Sequence, residues 1–196
     1  ARYGLMLRED GFAFDDGTTA RLGETHYVMT TTTANAGSVM QRLEFCHQWL
    51  WPEMNVQFIS VTDEWAQIAI AGPKSRDVLR QIVDTSFDLS NEAFGYMGAA
   101  EITICGGLGA RLFRLSFSGE LAYELAVPGR YGDALARLLM RVGEAYGIAP
   151  YGTEALGVMR IEKGHPAGPE LNGQTTAHDL GMGRMLSTKK DFIGRT

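Results

Sequence analysis

The residues with the most chemistry to offer lie in two carboxylate-bearing stretches. In the first, Ser116-Phe117-Ser118-Gly119-Glu120-Leu121-Ala122-Tyr123-Glu124-Leu125, an extended backbone would put Glu120 and Glu124 on one face, with Phe117 and Tyr123 nearby. A carboxylate among apolar neighbours costs free energy unless a partner satisfies it. A heterocycle offering two N–H donors side by side would be such a partner, because one carboxylate accepts both bonds at once. An ion pair with Arg111 or Arg114 would serve equally well. The second stretch is Asp15-Asp16-Gly17. Its simplest reading is a turn whose aspartates accept backbone hydrogen bonds. Its functional reading is a carboxylate at the end of a strand, able to stabilise a developing cation or to orient an amine nucleophile.

Other constellations are weaker. Gly107-Leu108-Gly109 and Gly181-Met182-Gly183 do not open a helix after a strand with a third glycine in place, so they read as turns rather than a dinucleotide fingerprint. Ser118 is not in a nucleophile-elbow pattern. His26, His47, His165 and His178 show no ligand spacing, and no metal is expected. Cys46 and Cys105 read as buried small hydrophobes, which suits a reducing cytoplasm. A net charge of −5 with no basic face argues against nucleic acid. No apolar run has the length of a membrane-spanning helix, so no membrane partner is expected. The basic residues Arg184, Lys189, Lys190 and Arg195 read as a solvated surface, or as an attractor for an anionic ligand tail.

The elements that must position these residues follow from periodicity. Arg8-Glu9-Asp10-Gly11 marks a hairpin. His26–Thr33 reads as a strand. A helix of about 15 residues follows, with Val39, Leu43, Cys46 and Leu50 on one stripe widened by Met40 and Trp49. Asn35 or Ser38 is a candidate cap for its start and Pro52 closes it. Strands are expected at Val56–Thr62 and Trp65–Ala71, then a helix opened by Gly72-Pro73 with Val78, Leu79 and Ile82 inward. Three more strands fall near Ala99–Cys105, Arg111–Phe117 and Tyr123–Val127. Helices near Tyr131–Tyr146 and Thr153–Lys163 are closed by Gly147 and Gly164. The remainder, from His165, reads as irregular. The fold class is α+β, with helices on antiparallel sheets. Residues 1–95 and 96–164 read as two related subdomain portions, and 165–196 as a C-terminal segment. The first residues resemble the middle of a strand and the last have no obvious finish, so an excised piece of a larger protein is expected.

The ordered set of motifs resembles one family. It comprises Asp10-Gly11-Phe12-Ala13-Phe14-Asp15-Asp16-Gly17, Thr30–Gly37 with Asn35-Ala36, Ala71-Gly72-Pro73, Phe117–Glu120 through Glu124-Leu125 and Met159–Gly164. Leu171-Asn172-Gly173-Gln174-Thr175-Thr176-Ala177 and Lys189–Gly194 complete it. The chain resembles the folate-binding module of the glycine-cleavage T-protein (aminomethyltransferase) superfamily, and within it the branch of heterotetrameric sarcosine oxidase α subunits. The resemblance implies α+β subdomains arranged in a ring around a folate site, incomplete over this chain. It implies Asp15 as the catalytic carboxylate, and Glu124, Phe117, Tyr123 and Asn35 as folate-binding, with the pterin supplying the two adjacent donors to Glu124. Phe117 stands where the family often has tyrosine. An arginine that transferases carry before the last helix is absent near Leu156, which favours the amine-oxidising branch. The implied activity is capture, as 5,10-methylenetetrahydrofolate, of the carbon released when sarcosine is oxidised to an iminium. FAD, FMN and NAD would sit in other parts of the complex, and other oxidase subunits would be the partners. A stand-alone aminomethyltransferase or demethylase, and a mainly structural assembly domain using exposed Trp49, Trp51 or Trp65, are the alternatives.

Overall fold

The computed structural model describes residues 1–195, and their contacts divide into two compact units. One unit comprises Ala1, 21–26 and 63–165. Its frame is a four-stranded antiparallel sheet of β4 (Trp65–Ala71), β5 (Ala99–Ile104), β6 (Leu108–Phe113) and β7 (Ala122–Pro128), in the order β4-β7-β6-β5. Strand alternation sends Ile70, Ile102, Ile104, Leu112, Tyr123, Leu125 and Val127 into one core. There they meet Val78 and Leu79 of α2 (Ser75–Leu79), Ile82 just beyond it, and Leu135 and Leu139 of α3 (Gly132–Gly143). The inward faces expected of these two helices are therefore the ones buried. Gly147 and Gly164 adopt the left-handed conformation after α3 with its 3-10 extension and after α4 (Thr153–Lys163), as their placement predicts.

The other unit comprises 2–20, 27–62 and 166–195 among the described residues. It holds a three-stranded sheet in the order β1 (Arg2–Leu7), β2 (Ala13–Arg21), β3 (Tyr27–Met29), and the helix α1 (Ala36–Phe45). The segment after Pro166 is largely irregular, with one 3-10 turn at Gly183–Met185 among the described residues. It is stitched to β2 by Ala13 N–H to the Thr175 carbonyl at 2.7 Å and Gly173 N–H to the Ala13 carbonyl at 3.1 Å. This partition departs from a border near residue 95 because β4 is paired with β7 along its whole length, from Trp65↔Pro128 to Ala71↔Ala122. A strand cannot leave the sheet that satisfies its backbone groups.

Several local expectations are corrected. Asp15-Asp16-Gly17 is not a turn but lies inside β2. Its glycine serves close approach, since a Cβ there would sit 1.9 Å from the Thr30 carbonyl oxygen. The strand expected over His26–Thr33 shrinks to Tyr27–Met29, and the one expected over Arg111–Phe117 runs instead over Leu108–Phe113. Val56–Thr62 forms no strand; Val56, Ile59 and Val61 are exposed and pair with nothing that would order them. The long helix forms, but its last five residues, Cys46–Leu50, wind as a π-helix. The wider turn rotates Trp49 and Leu50 off the buried stripe, and both are exposed. Cys46 is buried as expected, whereas Cys105 is exposed in a left-handed turn conformation at φ 54. No described helix is long and apolar enough to cross a membrane.

Candidate functional site

Glu124 sits in the middle of β7, opposite Ala69 of β4 and Phe113 of β6. Its neighbours Tyr123 and Leu125 point into the core, so Glu124 projects from the opposite face of the sheet. The side chain is half-buried, and one carboxylate oxygen accepts a 2.6 Å hydrogen bond from Gln67 Nε2, two residues along β4 from the partner Ala69. Burial pushes the Glu124 carboxyl above the usual glutamate value. The ion-pair alternative is not what the fold builds. Arg111 faces its cross-strand partner Glu101 at 3.6 Å and stacks over the Trp65 ring, 4.0 Å from its centroid, while Arg114 donates to the Phe94 carbonyl at 2.8 Å. Glu124 is thus a carboxylate kept partly out of water with an uncharged amide as its partner. That arrangement is costly alone and suited to a ligand with N–H donors.

The remaining residues of the first stretch separate. Glu120 is exposed in the turn before β7 and does not share Glu124's face as a strand neighbour. Phe117, in the same connection, is half-buried and packs edge-on against the His165 ring at 4.9 Å. Lys163 donates to the Ser116 carbonyl, and its stem lies 3.4–3.6 Å from where a Gly119 side chain would begin. Tyr123 is the correction. It is fully buried, its ring lies beside Phe94, and its hydroxyl accepts a 2.8 Å bond from Arg76 Nε. Being consecutive with Glu124 in a strand, it faces the core and is not offered to a ligand held by Glu124.

Asp15 belongs to the other unit. It is 1% exposed; Oδ1 accepts the Asp16 amide at 2.9 Å, and Oδ2 has no hydrogen-bond partner. Leaving a buried acceptor unsatisfied costs about 1–3 kcal/mol, more when it is charged, so native folds seldom keep one without a use. Asp16 points the other way and accepts the Tyr3 hydroxyl at 2.7 Å. Burial and that carboxylate drive the Tyr3 phenol well above its usual range. Asn35 stands just before α1, but its side chain caps nothing there. Its amide instead donates to the Phe14 carbonyl at 3.3 Å, and Ser38 lies inside the helix. Gln67 and Tyr3 went unmarked in the sequence. The polar interruption of Trp65–Ala71 was a signal for the first; nothing local signalled the second. Among the described residues no group of three or more His, Cys, Asp or Glu could hold a metal ion.

Comparison with known proteins gives a consistent picture. Residues 1–190 match the family described as GCVT N-terminal domain. The chain is 57% identical over 197 residues to the sarcosine oxidase subunit alpha of Rhizobium meliloti (strain 1021), covering all of this chain and 20% of that protein. It is 31% identical over 198 residues to the aminomethyltransferase of Streptomyces coelicolor, covering all of this chain and 51% of that protein. Among solved structures, the glycine cleavage system aminomethyltransferase T from Bartonella henselae superposes with a TM-score of 0.79 at 23% identity, over 95% of this chain and 47% of that one. The last likeness shows a shared fold, an antiparallel α+β architecture as expected. The chain spans a minor part of the oxidase relative and about half of the transferase.

Proposed function

The chain belongs to the GCVT N-terminal domain family, and from that premise we propose that it is the tetrahydrofolate-binding part of a sarcosine oxidase α subunit. The observation that supports this reading is the state of two carboxylates at the positions that the family resemblance singles out: Asp15 is buried with Oδ2 unpartnered, and Glu124 is partly desolvated beside only a neutral amide. When bound, tetrahydrofolate would supply two amine nitrogens that take over the methylene carbon of the substrate iminium, giving 5,10-methylenetetrahydrofolate. The C–N bond to the substrate nitrogen breaks, and that nitrogen leaves as an ammonium carrying the two displaced protons. Glu124 accepts the adjacent ring N–H and 2-amino donors of the pterin. Its raised pKa fits this, because an ionised carboxylate kept from water gains more from two donors than one already solvated. Asp15 leaves Oδ2 free to face positive charge that develops during carbon transfer, and its burial strengthens that interaction. Phe117 offers a ring edge for the ligand to pack on. The other oxidase subunits are the proposed partners, as the relative's name as a subunit suggests.

The alternative of a stand-alone aminomethyltransferase is less favoured, because Leu156 occupies the region where the transferases carry an arginine. The reading is tested in the full-length protein by following the fate of the substrate methyl group in the presence of tetrahydrofolate. Wild type should give 5,10-methylenetetrahydrofolate. Asp15→Ala should divert the carbon to free formaldehyde while amine oxidation continues. Equal yields of the folate product from both would remove Asp15 from the chemistry.

A further inference from the structure

The pairing of β1 with β2 breaks register at one point. Leu5 pairs with Asp16 and Met6 with Asp15, but Leu7 pairs with Ala13, so Phe14 is an extra residue on β2. Such a bulge leaves a ladder group unpaired and re-aims the side chains beside it. Paired residues in a sheet share a face, and successive ones alternate. Ala13 therefore lies on the face of Leu7 and Leu5, and Asp15, only two residues on, lies on the opposite face with Met6. Without the bulge Ala13 and Asp15 would share one face of the sheet.

The bulge is held. Asn35 Nδ2 donates to the carbonyl of Phe14, the extra residue, at 3.3 Å. Asn35 is itself fixed where α1 begins, its backbone N–H bonded to the Thr32 carbonyl at 2.9 Å. On the far side of Asp15, Tyr3 anchors the Asp16 carboxylate, and the Asp16 amide takes up Asp15 Oδ1. Each of the three successive residues 14, 15 and 16 is thus restrained by a separate contact, and the one atom left over is Asp15 Oδ2.

We propose that Asn35 is a positioning residue for Asp15, closing the β-bulge that turns the Asp15 carboxylate to its face of the sheet. This rests on the reading of Asp15 given above, and it differs from a direct contact between Asn35 and the ligand. Asn35 donates to the backbone one residue before the carboxylate; its loss lets the bulge relax and moves the carboxylate rather than removing a ligand bond.

The test uses Asn35→Ala, which removes the donor, and Asn35→Asp, which keeps the shape but presents acceptors to the Phe14 carbonyl. In the full-length protein the folate-dependent step should slow on the order of 10²-fold in both variants, the scale expected when a reacting group is misplaced by about 1 Å. The dissociation constant of tetrahydrofolate should stay within about threefold of wild type, since no ligand contact is lost. A readout free of ligand accompanies it: the 13C carboxyl signal of Asp15, assigned through Asp15→Asn, should move in Asn35→Ala. A tenfold weaker affinity with an unmoved Asp15 signal would overturn the proposal in favour of direct contact. An unmoved signal with unchanged kinetics would overturn it as well. If Asp15→Ala itself transfers carbon normally, the catalytic reading of Asp15 fails, while the carboxyl signal still decides whether Asn35 aims it.

Discussion

At the scale of single residues, the fold keeps two carboxylates from water at a cost in stability, giving Glu124 a neutral amide as partner and leaving Asp15 Oδ2 with none. Glu124 has a raised pKa in the folded protein, so its ionisation opposes folding. Its contribution is fully present below the ordinary value of 4.5 and is lost as the pH rises through the raised one. Glutamine at the same place suffers no such loss and can still bond to Gln67. Glu124→Gln should therefore be at least as stable as wild type at neutral pH. The advantage should grow from the acid side and level off above the raised value, as read from denaturant midpoints across a pH series. A wild type that gains on the variant as the pH rises would contradict the desolvation argument. Asp15→Asn removes the buried charge beside the orphan oxygen while keeping an acceptor for the Asp16 amide, so its melting temperature should not fall even though transfer is lost. Alternation in β7 made the opposed directions of Tyr123 and Glu124 derivable from their adjacency alone. The bond from Asn35 to Phe14 was not derivable, because a bulge leaves no mark on the pattern of residue types.

At the scale of elements, close approach matters more than propensity. Gly17 lets Thr30 come against β2, where Thr30 N–H donates to the Thr18 carbonyl at 2.8 Å. Both obstacles to a side chain at Gly17 are backbone, so nothing flexible can give way. Gly17→Ala should cost about 1–3 kcal/mol or more, the range for overpacking a filled site, measured by equilibrium unfolding. An unchanged midpoint would mean the strands part easily. Leu125→Ala, at the centre of the other sheet and fully buried, should cost about 2–5 kcal/mol. The strands and helices around Leu125 were legible because alternation, helical stripes and glycine caps agreed there. Val56–Thr62 reads as equally strand-like in composition, with Val56, Phe58, Ile59, Val61 and Thr62. A strand needs a partner as well as a pattern, and no neighbour in the fold supplies one. The π-turn at Cys46–Leu50 likewise escaped a reading based on a fixed helical period.

At the scale of the molecule, the chain leaves one compact unit and enters the other near residue 63, just after residues 51–62, which hold no helix or strand. Limited chymotrypsin digestion should cut first within 51–62, where backbone groups lack ladder partners and aromatic and aliphatic side chains are exposed. Early cleavage inside β4–β7 would contradict the division into units. Calorimetric titration of tetrahydrofolate into the full-length protein and its Glu124→Gln variant tests most directly whether Glu124 holds the pterin. Wild type should bind, and the variant should bind more than about tenfold more weakly, as loss of a charged hydrogen bond worth roughly 1.5–3 kcal/mol requires. Equal affinity in the two would contradict the assignment of Glu124 as the residue that grips the pterin.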